Sequence, residues 1–507
     1  MQKRNINLYG GLIVLWTHLL ISCAMLLLTL KDSTYFVNIF SATIFDFEFK
    51  PALRFDPLSS PIYFMIALLG VAIGHFSIRH LDGEKRQAYF YQYLVLLITS
   101  VSGFVLSNDL IMFFLAWLFT SHFLHKLLLF YPNRPNAVSA AFKKQLVSRI
   151  GDLAIFSATV LIIYSYGTSN LTEIFELVKE RGFYQSFEVF NIASVLIVLG
   201  ALTKSAQLPF HFWLPETMET PAPVSAIMHA GIINAGGYLI IRFSPLLYLS
   251  TFANAVLIIV GAITATYAAL IMMTQNNIKM KLAYSTISQM GIMIFSCGIG
   301  AYSIALFHIL AHSFYKAHAF LSTGSLIEES KKISLKLRPV PNMALILSIL
   351  FSFTLIATGS LIANGQYISL YTYAAVLGIS MTQNWFMIRD QMIPRTKLFS
   401  IIAAILTLAI SIYVIIEILV TNHLKLVIPG PTTTSLTTLN NTPIIYVSLA
   451  IFAGGLWLSG KLMTPQNDMI KYLYMHLWNG GYSRISTNFN FAKIFPSYPE
   501  NRKYPMK

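Results

Sequence analysis

The chain is 507 residues long, 56% hydrophobic and 11% charged, with two cysteines and a formal net charge of +15. Soluble domains carry about 25% charged residues, so water is not the main solvent of this chain and a free-standing globular enzyme is excluded. Cys23 and Cys297 both lie in apolar stretches, which rules out a disulfide framework, a thiolate metal site and iron–sulfur chemistry within the chain.

The first apolar run, Leu8–Leu30, exceeds the roughly 18 residues with which a helix crosses a hydrocarbon core about 30 Å thick. Leu30, Lys31 and Asp32 stand where a signal peptide would carry small residues for cleavage, so the run reads as a retained helix. Comparable runs recur, centred near residues 19, 69, 98, 120, 157, 197, 232, 261, 288, 312, 351, 377, 409 and 451. They predict an all-α polytopic membrane protein of about 14 transmembrane helices, because a helix satisfies its backbone donors and acceptors within its own segment. The loops are short, so residues 1–507 read as a single transmembrane domain, with a core over about 56–389 and C-terminal helices and a polar, basic tail over 398–507. Lys31–Asp56 and Pro429–Thr442 read as surface connections outside the membrane. No nucleotide loop, zinc constellation or redox centre is legible, so no cofactor is expected in this chain, and chemistry on a soluble substrate must belong to a partner.

A charge of +15 would suit a nucleic-acid partner, but the basic residues are distributed as a topology signal. With the N terminus inside, most of the 35 Lys and Arg fall on cytoplasmic segments, among them Lys331, Lys332, Lys336 and Arg338 in one loop and Arg389, Arg395 and Lys397 in another. The expected environment is the lipid bilayer of a cell inner membrane, crossed many times, with both termini cytoplasmic and no nucleic acid bound.

Residues 201–241 depart from ordinary membrane-helix composition. Lys204 lies in an apolar helix and is followed by Pro209, Pro215, Pro221 and Pro223. Proline removes a backbone donor and clashes with the preceding turn, so the helix should break just after the lysine. Broken helices at membrane depth line cavities or are covered by protein, which makes Lys204 a candidate ion site; a lysine snorkelling from a helix end is the bland alternative. Mid-membrane charge costs on the order of 2.5–3.5 kcal/mol, and only Lys126, Lys204 and Lys316 are read as incurring it. His308, His312 and Lys316 recur at i, i+4 and i+8, one face of one helix, and this spacing makes a proton wire. Satisfied core histidines, or a zinc pair lacking its third ligand, are the competing readings. His229, on the helix after the break, is placed to bridge Lys204 to this row, while His211, Glu216 and Glu219 could gate access from the cytoplasm.

These residues resemble a known family. Lys204-Ser205-Ala206-Gln207-Leu208-Pro209, Trp213-Leu214-Pro215, Pro221-Ala222-Pro223-Val224-Ser225-Ala226 and His229-Ala230 are similar to the signature of the antiporter-like subunits of NADH:quinone oxidoreductase and of the Mrp antiporters. So are Leu282-Ala283-Tyr284-Ser285-Thr286-Ile287-Ser288-Gln289, Phe307-His308 and His312-Ser313-Phe314-Tyr315-Lys316-Ala317. The resemblance implies two inverted five-helix repeats, each a half-channel, joined by a polar axis through Lys204, His229, His308, His312 and Lys316.

The chain also departs from that pattern. Trp117-Leu118 stands where the family carries Trp-Glu, with His122, His125 and Lys126 following, and Ser360-Leu361-Ile362-Ala363-Asn364 replaces a second lysine. Asp152, more than Asp109, is expected to substitute as counter-ion to Lys204, and His122 and Lys126 join the expected pathway. A first helix and a long lateral helix are missing from the pattern as well. Such departures resemble the membrane subunits of two-component inorganic-carbon accumulation systems. That implies H+ or Na+ flow through this chain, driving uptake of CO2 or bicarbonate by a zinc-containing, carbonic-anhydrase-like subunit on the cytoplasmic side. The alternatives are a Na+/H+ antiporter, a proton-pumping subunit of an NADH-quinone oxidoreductase-like complex, or a purely structural membrane anchor.

Overall fold

A computed structural model describes residues 2–31, 33–44, 47–181, 187–323, 440–463 and 467–482, with scattered positions between 342 and 427. Its helices are α1 (Gln2–Thr29), α2 (Ser59–His80), α3 (Gln87–Leu106), α4 (Leu110–Leu128), α5 (Pro135–Tyr166), α6 (Leu171–Arg181), α7 (Phe187–Lys204) and the one-turn α8 (Trp213–Glu216). They continue with α9 (Ala222–Ala230), α10 (Ala235–Arg242), α11 (Ser244–Leu247), α12 (Thr251–Thr274), α13 (Ile278–Gly298), α14 (Tyr302–Leu321), α15 (Thr442–Met463) and α16 (Asp468–Trp478). Among the described residues, eight segments are long and apolar enough to cross a membrane. The expected centres near 351, 377 and 409 lie outside the described residues, as do Ser360–Asn364 and the basic loop at 331–338; the centre near 232 falls at the interruption between α9 and α10, and the other centres fall within these helices.

Local chemistry sets the helix ends. Asp109 caps α4 by accepting from the Ile111 and Met112 amides at 2.8 and 3.0 Å, and Asn277 caps α13 through Lys279 and Met280 at 2.9 and 3.2 Å. Pro135 opens α5, where its missing donor costs nothing, and Gly167 closes it in the left-handed conformation, φ 72°. Between the long helices, small residues permit close approach. A Cβ on Gly291 would stand 2.5 Å from the Ala265 nitrogen, so α12 and α13 meet backbone to backbone.

Short contacts between loops define two ends of the bundle. At one, Arg86 donates to the Leu129 and Phe130 carbonyls at 2.8 and 3.0 Å, and Tyr131 donates to Glu84 at 3.0 Å. At the other, β1 (Tyr35–Asn38) pairs antiparallel with β4 (Ala52–Phe55), and β2 (Ala42–Ile44) pairs with β3 (Phe47–Phe49).

The reading of Lys31–Asp56 as a mere surface connection needs correction at its end. Arg54 and Asp56 are buried. Asp56 accepts from the Ser59 amide at 2.7 Å at the start of α2 and holds Arg242 through two bonds, 2.6 and 3.1 Å. Arg54 Nε lies 2.8 Å from the same carboxylate. A buried carboxylate is tolerated only when paired in this way, and the pairing ties the hairpin, α2 and α10 together.

The expected break after Lys204 is present. α7 ends at Lys204, and Ala206 takes a left-handed φ of 49°, a conformation costing a non-glycine residue about 1 kcal/mol. The freed backbone is re-satisfied locally. Gln207 donates its side-chain amide to the Ser205 carbonyl at 2.8 Å, and the Leu208 amide donates to Thr264 Oγ1 at 3.1 Å. Irregular backbone at this depth requires such partners. A second interruption, a 3-10 turn over Ile232–Asn234, separates α9 from α10, and the Ser205 hydroxyl donates to the Ile233 carbonyl at 2.7 Å.

Candidate ion-translocation site

The last residue of α7 carries its side chain into the interior. Lys204 is 8% exposed; its Nζ donates to Ser121 Oγ at 2.8 Å and to the Trp117 carbonyl at 3.4 Å, and lies 4.1 Å from the centroid of the Trp117 ring. Asp152 is close by but not in direct contact. Its carboxylate accepts from Trp117 Nε1 at 2.9 Å and from Arg149 at 3.2 Å, so the indole stands between the expected counter-ion and the lysine. Asp109 is committed to capping α4 and to the Ser169 hydroxyl.

Helical geometry decides which α4 side chains join this cluster. Trp117, Ser121 and Leu124 share the buried face. His122 points to the exterior and Lys126 sits part-exposed in the last turn, its carbonyl accepting from Tyr89 at 3.1 Å. Neither residue meets Lys204.

Two buried lysines that the sequence reading did not single out come in from α5 instead. Lys143 is fully buried and paired with Glu216 at 2.6 Å. Lys144, 4% exposed, donates to the Ser121 carbonyl at 2.7 Å. The opening of α5 is too polar to read as membrane interior; the available signal was the length of the helix, which carries both lysines beyond its first turns.

The second cluster is built on α14. His312 and Lys316 are buried and His308 is partly buried on one face, with the two imidazoles stacked at 5.9 Å and 26°. Lys316 Nζ donates to Ser285 Oγ at 2.9 Å and to the Leu282 carbonyl at 3.1 Å, both on α13. His229, on α9, stacks on Phe320 at 4.2 Å, and its Nδ1 lies 3.2 Å from Thr286 Oγ1. It belongs to the Lys316 side; among the described residues no hydrogen bond joins it to Lys204. His308 Nε2, His229 Nε2 and both ring nitrogens of His312 are buried with no protein partner. Buried polar atoms are normally satisfied, and a neutral imidazole can accept at one ring nitrogen while donating from the other.

The one-turn helix α8 borders a cavity that carries both polar and apolar side chains. Its volume is about 480 Å³, and it is lined by Asn136, Ser139, Glu216, Gln275, Tyr284 and Trp478, among others. Glu216 reaches from it to Lys143, and the neighbouring Glu219 pairs with Arg134 at 3.4 Å on the surface. His211 is buried, edge-on to Tyr267 at 5.9 Å. Among the described residues, no group of three or more His, Cys, Asp or Glu is arranged to hold a metal ion.

A helix broken beside a buried lysine, together with a second helix bearing a histidine–lysine row, is the arrangement of an antiporter-like membrane subunit. Residues 107–420 match the transmembrane family model of the NADH:quinone oxidoreductase/Mrp antiporters, and the chain belongs to that family. Within it, the chain is a homologue of the DabB subunits. It is 42% identical over 264 residues to the probable inorganic carbon transporter subunit DabB of Hydrogenovibrio crunogenus, covering 52% of this chain and 50% of that one. With the probable inorganic carbon transporter subunit DabB2 of Halothiobacillus neapolitanus, identity is 34% over 436 residues, covering 84% and 76%. The first of these matches thus spans half the length of the relative. The fold is similar to a chain of the Mrp complex from a Dietzia species, with a TM-score of 0.58 at 20% identity, covering 97% of this chain and 55% of that one.

Proposed function

We propose that this chain is the proton-translocating membrane subunit of an inorganic-carbon uptake system, and that ion flow through it energises vectorial CO2 hydration by a zinc-containing, carbonic-anhydrase-like partner of the DabA type. One observation carries the reading: Lys204 and Lys316 are each buried, and each Nζ is held by one serine hydroxyl and one backbone carbonyl. Without a directly bonded carboxylate, the charged form of such an amine is weakly anchored. A buried lysine of this kind loads and releases a proton readily. Imidazoles accept at one nitrogen and donate from the other, so His312 and His308 extend the path from Lys316. Sodium prefers oxygen ligands and is repelled by ammonium groups, which favours the proton as the carried ion.

In this reading the chain lies in the cell inner membrane with both termini cytoplasmic. It is built on two inverted five-helix repeats, and zinc resides in the partner, which docks on the cytoplasmic side. The names of the DabB relatives support the assignment to inorganic carbon.

Uptake of labelled inorganic carbon in cells depending on this chain tests the proposal. An uncoupler should abolish uptake while sodium removal leaves it intact, and Lys204→Ala and His312→Ala should each lose it. Uptake that survives the uncoupler but stops without sodium overturns proton coupling. Uptake that survives Lys204→Ala leaves the chain a structural anchor.

A further inference from the structure

The Lys204 cluster contains a second amine that the proposed pathway does not use. Lys144 Nζ and Lys204 Nζ converge on one residue, the first on the carbonyl of Ser121 at 2.7 Å and the second on its hydroxyl at 2.8 Å. Both lysines are at most 8% exposed. Among the described residues, no carboxylate lies within ion-pair distance of either. By contrast Lys143, adjacent in sequence, has the Glu216 carboxylate at 2.6 Å. Two ammonium groups bridged by one serine in a low-dielectric interior repel each other strongly. The arrangement is stable when only one of them is charged.

We propose that Lys144 is a second ion-handling lysine: bridged by Ser121, Lys144 and Lys204 share one positive charge, so that protonation of either expels the proton from the other. This rests on the conduction reading and deepens it. Where a carboxylate facing Lys204 would hold its proton by attraction, α4 offers only Leu118 and neutral neighbours, and a cation releases the proton by repulsion. Other titratable or charged groups around the pair are Asp152, Arg149 and Lys143 on α5, His122, His125 and Lys126 on α4, and Glu216 on α8. Asp152 acts on both lysines electrostatically. It therefore balances the one shared charge and leaves a second uncompensated.

The test is proton flux, followed by acridine-dye quenching in membrane vesicles of the native host that hold the full chain with its partner. Variant abundance in the membrane is measured alongside. Removing the charge with Lys144→Met should move the pH of half-maximal flux upward by about one unit, a tenfold change in proton affinity. Lys144→Arg, which stays charged at every accessible pH, should lower flux at neutral pH about tenfold for the same shift in the opposite direction. Since Lys144→Arg keeps the size and charge of the side chain, it answers the question if the methionine variant accumulates poorly. Wild-type flux and pH profile in Lys144→Arg overturn the proposal. Lys204→Ala separates the two levels: flux lost there but untouched in the Lys144 variants removes this inference alone, whereas flux retained in Lys204→Ala removes the conduction reading itself.

Discussion

Trp117 separates Lys204 from Asp152, its indole nitrogen 2.9 Å from the carboxylate and its ring face 4.1 Å from the ammonium. The acid and the base are thus joined through an aromatic group that can neither accept nor pass a proton between them. A cation over a desolvated indole face gains about 2 kcal/mol, and the hydrogen bond fixes the plane of the ring. Asp152 therefore orients the residue that holds the lysine.

From this relationship, Asp152→Asn should be milder than Lys204→Ala. The amide keeps an oxygen for the indole donor, so the ring stays in place and only the electrostatic contribution is lost. Vesicle flux should fall by less than about tenfold in Asp152→Asn, equivalent to about 1.4 kcal/mol. Trp117→Leu, which removes both contacts, should fall further. Equal losses in Asp152→Asn and Lys204→Ala would show that the carboxylate takes the proton directly.

On the second cluster, Lys316→Arg should fail to conduct even though it keeps the charge, because a guanidinium does not release its proton in a protein. Ser285→Ala removes one hydrogen bond to the amine, a loss of about 1 kcal/mol, and should leave part of the flux. Dye-quench rates for the two variants at matched abundance distinguish them. Conduction by Lys316→Arg would mean that this position serves only as a fixed charge.

The buried Asp56–Arg242 pair makes a stability prediction. Removing one partner leaves an uncompensated charge, so Asp56→Ala should destabilise the fold by about 3–5 kcal/mol, read as a lower thermal unfolding temperature in detergent. Burial alone would raise the Asp56 carboxyl, but the guanidiniums of Arg242 and Arg54 hold it well below the usual carboxylate range. The unfolded chain therefore binds this proton more tightly than the folded one. The stabilisation is whole above about pH 4 and is lost only as pH falls through the folded value. Unfolding temperatures of the wild type and Asp56→Ala should accordingly differ by a constant amount between neutral pH and pH 5.

At the α12–α13 contact, Gly291→Ala introduces a methyl 2.5 Å from the Ala265 nitrogen and 2.8 Å from its Cα. Backbone cannot yield as a flexible side chain does, and overpacking costs about 1–3 kcal/mol. Because Lys316 is held by α13 residues, the displacement should also reduce flux. A variant with wild-type stability would mean that the helices separate at no cost.

The helices with strong apolar runs, the break after Lys204 and the shared face of His308, His312 and Lys316 were legible because each depends on local composition or a fixed period. Other features were not, for physical reasons. Lys143 and Lys144 look solvated in sequence, since nothing local reveals that α5 extends past its apolar part into a covered interior. His122 and Lys126 were expected on the pathway, but a single residue step moves a side chain 100° around a helix, and the rotation of α4 turns Ser121 rather than these two toward Lys204. The pairing of Asp56 with Arg242 spans 186 positions, a separation at which pattern carries no register. The substitution of Leu118 for a carboxylate was visible in the sequence, whereas the approach of Lys144 to the Ser121 carbonyl depends on how α4 and α5 pack.

The bond from Ser205 to the Ile233 carbonyl gives the two helix interruptions a common fate. Were the chain after Lys204 to rewind into regular helix, the Ser205 hydroxyl would turn away, and the kink between α9 and α10 would lose the donor that holds its carbonyl open. A movement begun at one lysine would in this way be handed mechanically to the helix bearing His229, through a pivot of two residues that never themselves carry charge.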